Sequence, residues 1–253
     1  DMQQIYLKEI AGIPKACEHI NYVASLLRNK NHTVIHIKDM EGADEQNVAS
    51  YQIIPEIEII EKDLMTSINC KGKLLSLSEP LVMGIINATP DSFYEGHLKL
   101  NTDGILSLAG KMINDGVTIL DIGGLSTRPG SAPVSVQEET DRVLPVIEKI
   151  HAVYPQTILS IDTYNSLVAK AAINAGASII NDISAGNLDH DMLSTVAALH
   201  TPYICMHMQG TPASMQKSPA YKNVVEEVLD LFIYKIDECT KAGIKDVIID
   251  PGF

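Results

Sequence analysis

The sequence has few basic residues and no apolar run that approaches the ~20 residues of a membrane span. Its 253 residues include 19 Lys and Arg against 32 Asp and Glu, which gives a formal net charge of −13. Such an acidic chain repels polyanions, which argues against nucleic acid or an anionic membrane as a partner. No basic-then-apolar signal peptide opens the chain. We therefore expect a cytoplasmic protein.

The sequence also lacks the cysteine and histidine motifs that bind metal. The four cysteines form no CxxC pair, and the sequence contains no HxH or HExxH, so a protein zinc site is not expected. Reduced thiols are typical of this spacing. Any metal would be Mg²⁺, held by oxygen ligands and a substrate phosphate.

Strand and helix patterns alternate from about residue 66, and the 45% hydrophobic content is enough for a sizeable core. Nearly continuous apolar runs predict parallel strands buried on both faces. These runs are Leu81–Ile86, Val117–Leu120, Thr157–Ile161, Ser178–Ile180, Tyr203–Met206 and Asp246–Ile249. Apolar spacings of three and four predict helices at Thr102–Asp115, Val136–His151, Ser166–Ala175, Asp191–His200 and Tyr221–Ala242. The order indicates a βα barrel or a doubly wound sheet.

Polar residues end every one of these strands, which favours the barrel. A (β/α)₈ barrel assembles its site from the carboxyl ends of many strands, whereas an open sheet needs such residues only at its switch point. Six strands are found where a closed barrel needs eight, and two more βα units would take roughly 60 residues. We expect an α/β protein with six of the eight strands of a TIM barrel.

Residues 1–65 predict a separate small α/β segment rather than the missing strands. Pro14 to Lys30 reads as a helix, and Thr33–Lys38 and Ile53–Ile60 read as strands. A permuted barrel is the alternative. A polar linker is expected at Glu61–Lys73, and the first residue, Asp1, suggests a trimmed amino terminus.

Three groups of residues carry chemistry. The loop Asn87–Phe93 combines a carboxylate with hydroxyls, and Asp121–Gly130 combines two glycines with Arg128, so that its amides and guanidinium could hold a phosphate. Asp162, Asn181 and Asp250 offer acceptors and an amide that match the edge of a pterin or guanine ring. The alternatives are ordinary βα turns, a solvated arginine and helix N-caps. His207, at another strand end, is expected to be a hydrogen-bonded structural residue.

Residues from about 66 to 253 resemble dihydropteroate synthase, a pterin-binding TIM-barrel enzyme of folate biosynthesis that sulfonamides inhibit. The matching motifs are Asn87-Ala88-Thr89-Pro90-Asp91-Ser92-Phe93, Asp121-Ile122-Gly123-Gly124-Leu125-Ser126-Thr127-Arg128-Pro129-Gly130 and Met206-His207-Met208-Gln209-Gly210-Thr211-Pro212. Asp162, Asn181 and Asp250-Pro251-Gly252-Phe253 follow in the expected order.

The resemblance implies a transferase that condenses 6-hydroxymethyl-7,8-dihydropterin pyrophosphate with p-aminobenzoate. It implies that Asp162, Asn181 and Asp250 bind the pterin, that Met206 is a further substrate-binding residue, and that Asn87 helps to bind Mg²⁺ and pyrophosphate. It also implies catalytic roles for Asp91, Thr127 and Arg128 in two loops that, with Pro129, shape the p-aminobenzoate site. A homodimer is expected from the family.

Some features depart from the resemblance. Tyr94-Glu95-Gly96-His97 replaces the usual Ser-Asp-Gly-Gly, and the family's Gly-Phe-Gly-Lys, Ser-Arg-Lys and Arg-x-His motifs are absent. We therefore expect little or no synthase activity from this 253-residue chain. Residues 1–65 weakly resemble the start of an isochorismatase-like cysteine hydrolase. The alternatives are a corrinoid-linked methyltetrahydrofolate methyltransferase and an inactive pterin-binding remnant.

Overall fold

The computed structural model describes residues 67–78, 80–88, 102–125, 134–211 and 220–252, with side chains at all of these except 102 and 103. The predicted segment 1–65 lies outside the described residues. The strands are β1 Ser67–Cys70, β2 Lys73–Ser76, β3 Met83–Asn87, β4 Ile119–Gly123, β5 Ile158–Asp162, β6 Ile179–Asp182, β7 Tyr203–Met206 and β8 Val247–Asp250. The helices are α1 Thr102–Asn114, α2 Val136–Val153, α3 Ser166–Ala175, α4 Met192–Leu199 and α5 Val224–Ala242.

Strands β3 to β8 form one parallel sheet in which the strands follow one another in the order of the chain. A doubly wound sheet reverses its strand order at a switch point, and this sheet does not. The described part of the chain is therefore six consecutive strands of a (β/α)₈ barrel, which confirms the predicted fold class.

The two faces of the sheet carry two separate apolar clusters. The inner cluster, which faces the barrel axis, contains one residue from each strand: Met83, Ile119, Ile158, Ile179, Ile204 and Ile248. The outer cluster packs the alternate strand residues, such as Leu120, Leu159 and Ile180, against the helices. Because side chains alternate along a strand, this division identifies which later residues of each strand point into the barrel.

A β-hairpin made of β1 and β2 covers the amino-terminal end of the barrel. Its positive-φ turn, Lys71-Gly72, is the mirror-image type that matches strand twist. Hairpin residues Ile68, Cys70 and Leu75 belong to the inner cluster. The linker predicted at Glu61–Lys73 is therefore wrong for residues 67–73, because the alternate residues of this polar stretch are buried against the barrel floor.

The helix ends are capped by residues of the usual types. Gly116, Gly176 and Gly243 follow their helices with positive φ, as expected of glycine caps. At the other end, Ser135 and Asn165 accept hydrogen bonds from backbone N–H groups in the first turns of α2 and α3. None of the helices in the described residues is long and apolar enough to cross a membrane.

Candidate active site

The sheet register brings the predicted site residues to neighbouring positions at the carboxyl ends of the strands. Asn87 pairs with Gly123, Gly123 with Asp162, and Asp162 with Asn181, so one row crosses four strands. Each of these residues lies an even number of positions after an inner-cluster residue of its own strand, and therefore faces the barrel axis. Asn87, Asp162 and Asn181 are all half-buried at the mouth.

Met206 and Asp250 form a second pair at this end of the barrel, on β7 and β8. Both lie two residues after an inner-cluster isoleucine, and both are half-buried. Oδ1 of Asp250 accepts a hydrogen bond from the amide of Gly252 at 2.8 Å. Burial raises the pKa of the Asp250 carboxyl, and the Gly252 amide and His207 oppose this rise.

His207 is hydrogen-bonded to the backbone, as the sequence predicted. Its amide donates to the carbonyl oxygen of Asp250 at 2.8 Å, and its side chain bonds to the backbone of Pro251. Its ring centroid lies 5.8 Å from that of Tyr221. Burial lowers the pKa of the imidazole, which favours the neutral ring.

Asp121 is a candidate site residue to which the sequence interpretation assigned no role of its own. The apolar run Val117–Leu120 predicts that Asp121 follows the second strand, but β4 continues to Gly123 and places Asp121 inside it, buried and facing inward. Nδ2 of Asn181 donates to its Oδ2 at 2.9 Å, across the intervening β5. Alternation within the run Ile119–Gly123 is the signal that could have found it, because Asp121 lies two residues after the inward-facing Ile119.

Several carboxylates are concentrated around Asp162. Burial, and after it the charges of Asp121, Glu139 and Asp182, raise the pKa of Asp162 well above its usual value. A donor-rich or cationic group that entered this end of the barrel would relieve the repulsion. The arrangement therefore suits a ligand edge that presents several N–H groups.

Two buried polar atoms beside Asp121 have no hydrogen-bond partner among the described residues. They are Oδ1 of Asn181 and Oγ of Ser160. Ser160 pairs with Asp121 in the sheet register and lies two residues before Asp162, so it forms the floor beneath that carboxylate. A buried polar atom without a partner costs about 1–3 kcal/mol, which a bound donor or water would offset.

Asp182 differs from these residues because its hydrogen bonds are already made within the protein. Its carboxylate accepts from the amide and hydroxyl of Ser184, from the amide of Gly186 and from the hydroxyl of Tyr203, at 2.7–2.8 Å. It adjoins Asn181 but points to the opposite face of the sheet. Asp182 therefore fastens the loop after β6 and is not available to a ligand.

Gly123 leaves space between two of the predicted ligand-binding side chains. A Cβ atom placed on it would lie 3.3 Å from Oδ2 of Asp162 and 3.6 Å from Oδ1 of Asn87. The oxygens of Asn87 and Asp162 thus both lie near Gly123, which has no side chain to separate them. No group of three or more His, Cys, Asp or Glu residues among the described parts of the chain is arranged to hold a metal ion.

Asp91, Thr127, Arg128 and Pro129 lie outside the described residues.

Comparison with protein families gives a match over most of the barrel. The profile described as "Pterin binding enzyme" matches residues 83–253, which is more than half of the chain. The curated dihydropteroate synthase of Escherichia coli K12 is 44% identical over 185 residues, covering 72% of this chain and 65% of that protein. The folic acid synthesis protein fol1 of Schizosaccharomyces pombe is 47% identical over 176 residues, covering 68% of this chain and 24% of that protein. The chain thus spans less than two thirds of the length of either relative.

Solved structures of dihydropteroate synthases are also similar to this chain. A Yersinia pestis dihydropteroate synthase in a sulfonamide drug complex has a TM-score of 0.69 and 42% identity, over 74% of this chain and 68% of that one. A Xanthomonas albilineans dihydropteroate synthase in complex with 7,8-dihydropteroate has a TM-score of 0.64 and 37% identity, over 74% of this chain and 66% of that one.

Proposed function

This chain belongs to the family of pterin-binding enzymes, and from that membership we propose that it is a dihydropteroate synthase. The proposed reaction joins 6-hydroxymethyl-7,8-dihydropterin pyrophosphate to p-aminobenzoate and gives 7,8-dihydropteroate and pyrophosphate. It belongs to folate biosynthesis.

The observation that supports this proposal most directly is the set of inward-facing acceptors around Asn181. Asp121 accepts from one end of the Asn181 amide, and the other end, Oδ1, has no hydrogen-bond partner among the described residues. Asp162 lies beside it in the register. A pterin presents an amidine-like row of N–H groups on one edge of a flat ring, and carboxylate and amide oxygens are the matching acceptors.

The remaining pterin contacts are assigned to the opposite pair of strands. Met206 offers a flexible apolar side chain that can pack on the ring, and Asp250 offers a further carboxylate. Strand β7 adjoins β6, which carries Asn181, and β8 adjoins β7, so one ring could reach both groups of residues.

Asn87 suits the role of a magnesium ligand. Its amide oxygen lies at the mouth, beside the Asp162 carboxylate and the space above Gly123. Mg²⁺ accepts a few protein oxygens together with waters and substrate phosphates, so a site completed by the pyrophosphate fits the single oxygen that Asn87 supplies. When bound there, the ion would neutralise charge on the departing pyrophosphate.

The chemistry is a substitution at the exocyclic methylene of the pterin. The p-aminobenzoate nitrogen forms the new C–N bond, the C–O bond to pyrophosphate breaks, and the leaving group keeps the electron pair. The nitrogen then loses a proton. The carboxylates of Asp121 and Asp162 hold the ring and stabilise positive charge as it develops, so this chain supplies orientation and electrostatic stabilisation.

The second substrate is assigned to the two loops that carry Asp91, Thr127, Arg128 and Pro129. Arg128 supplies a cation for an anionic group, and the loops would exclude water from the reacting carbon. Sulfonamides, which resemble p-aminobenzoate, would compete at this position. We place the protein in the cytoplasm and expect it to work as a homodimer.

Titration with 6-hydroxymethylpterin tests the pterin site, using the wild type, Asp162→Asn and Asn181→Ala. We expect binding by the wild type and a large loss in both variants. Formation of 7,8-dihydropteroate, abolished by Asp162→Asn, would support the reaction even if turnover is slow. Equal binding by all three proteins would contradict the site, and binding of methyltetrahydrofolate in preference to the pterin would indicate the methyltransferase class.

A further inference from the structure

Glu139 is a buried acid that the proposed reaction does not use. It lies in the first turns of α2, and only 2% of its surface is exposed. Its Oε1 accepts a hydrogen bond of 2.6 Å from the hydroxyl of Thr163. Carboxylates are seldom fully buried without a specific partner, so this contact calls for an explanation.

Thr163 links Glu139 to the strand end that carries Asp162. It directly follows Asp162, and its amide donates to the carbonyl oxygen of Asn181 at 3.0 Å. Its hydroxyl oxygen also accepts from the amide of Asn165 at 3.1 Å, at the start of α3. The Glu139–Thr163 hydrogen bond therefore holds Thr163 in place beside the ends of β5 and β6. The proposed pterin contacts Asp162 and Asn181 lie at these two strand ends.

The same helical turn also holds the end of β4. Nη1 of Arg142 donates to the carbonyl oxygen of Gly124 at 2.9 Å, while its Nη2 pairs with Glu138 at 2.6 Å. Gly124 packs directly on the helix, because a Cβ atom on it would lie 3.1 Å from Cγ of Glu139 and 2.8 Å from Cγ1 of Val143. Two neighbouring strand ends are thus attached to one rigid turn.

We propose that Glu139 is a positioning residue. Its hydrogen bond to Thr163, together with the neighbouring Arg142–Gly124 contact, holds the ends of β4 and β5 in the geometry that binds the pterin. This inference rests on the proposed function for its ligand. A positioning role differs from a simple packing role, because replacing a residue that only packs the helix would change stability and leave pterin affinity unchanged.

The experiment compares Glu139→Ala with Glu139→Gln, which keeps the length and the oxygen acceptor for the Thr163 hydroxyl. Hydrogen exchange is measured on amides 121–125 and 160–165, and 6-hydroxymethylpterin is titrated in parallel. Glu148→Ala, an exposed acid on the same helix, is the matched control. Because a small misplacement of binding groups weakens a site strongly, we expect Glu139→Ala to speed exchange in both segments and to bind about tenfold more weakly. Glu139→Gln and Glu148→Ala should match the wild type in pterin affinity, and neither should speed exchange in these segments.

Thr163→Val provides a second route in case Glu139→Ala does not fold, and it should reproduce the loss while Thr163→Ser does not. Unchanged exchange and affinity in Glu139→Ala or Thr163→Val would overturn the proposal. An equal loss in Glu139→Gln would also overturn it, since the charge and not the hydrogen bond would then be responsible.

The two readouts separate this inference from the proposed function. A wild type that fails to bind the pterin contradicts the function alone, because hydrogen exchange tests the contact without any ligand.

Discussion

The side-chain amide of Asn181 donates a hydrogen bond to Asp121 at 2.9 Å across strand β5, joining residues 60 positions apart in the chain. The bond fixes which end of the Asn181 amide faces the ligand. With Nδ2 held by Asp121, the oxygen Oδ1 is the end without a partner among the described residues. Asp121 thus orients the Asn181 side chain so that its oxygen faces the ligand and accepts a hydrogen bond from it.

Replacing Asn181 should therefore affect both stability and ligand binding. In Asn181→Ala, the buried Asp121 carboxylate loses its donor from Asn181, which we expect to lower the free energy of unfolding by about 1–3 kcal/mol. Binding of 6-hydroxymethylpterin should be lost. Urea denaturation and calorimetric titration measure the two effects, with the exposed Asn174→Ala as the control. A variant that keeps full affinity would place Asn181 outside the pterin site.

Replacing Asp162 should raise stability while it weakens ligand binding, whereas replacing Asn181 should lower both. Burial and the nearby carboxylates raise its pKa, so its ionised form is unfavourable in the folded protein. The neutral isostere Asp162→Asn should raise the free energy of unfolding by about 1 kcal/mol while it weakens pterin binding. The exposed Asp230→Asn serves as the control. A destabilised Asp162→Asn would mean that the charge is compensated within the protein.

Glu139 should make stability depend on pH. Burial raises its pKa from the usual 4.5 to about 7, although Thr163 and Arg142 oppose the rise. Between these values the folded protein binds a proton that the unfolded chain does not, so this contribution to stability is present at low pH and is lost as the pH rises to 7.

We therefore expect Glu139→Gln to gain stability relative to the wild type between pH 5 and 7, by about 1–3 kcal/mol. The carboxyls of Asp182 and Asp250 also have raised pKa values and act in the same direction, but they are present in both proteins. The Glu139 charge helps to raise the pKa of Asp162, so its removal in Glu139→Gln eases the ionisation of Asp162 and adds to the gain. Urea denaturation at each pH measures the difference, with Glu148→Gln as the control. A difference that does not change with pH would contradict this pKa.

The fold could be predicted because the apolar patterns are strong. Each of the six continuous apolar runs became a strand of the parallel sheet, and the glycines after the helices adopted positive φ. The hairpin was missed because its strands are four residues long and mostly polar on the outer face, which is too short for alternation to stand out.

The site could be predicted only where a polar residue stands at the end of a strand. Asn87, Asp162, Asn181 and Asp250 were predicted in this way, whereas Met206 came only from the family resemblance. The register places all five at one end of the barrel. Asp121 lies within a strand, so its inward direction depends on where that strand ends.

Glu139 was missed for a different reason, although helical periodicity could have indicated it. It belongs to the same buried stripe of α2 as Val143, Val146, Ile147 and Ile150. An acid near a helix start is usually explained by the helix dipole, and that explanation predicts an exposed side chain. Only its contact with Thr163 distinguishes the two explanations.

The last prediction uses the adjacent glycines at the end of β4, whose substitution should have different effects. In Gly124→Ala, the new methyl would lie 2.8 Å from Cγ1 of Val143 and 3.2 Å from the backbone oxygen of Glu139, so the strand end must move away from α2. We expect a loss of about 1–3 kcal/mol in the free energy of unfolding, together with weaker pterin binding.

In Gly123→Ala, the closest contact is 3.3 Å to a carboxylate oxygen of Asp162, which can yield by a few tenths of an ångström. Stability should therefore change by less than about 1 kcal/mol. Affinity for 6-hydroxymethylpterin should still fall, because the methyl occupies the space between Asn87 and Asp162. Denaturation and titration of Gly124→Ala and Gly123→Ala therefore distinguish an effect on packing from an effect on ligand binding at neighbouring positions. A Gly123→Ala protein with unchanged affinity would show that this space is not part of the ligand site, whatever the result at Gly124.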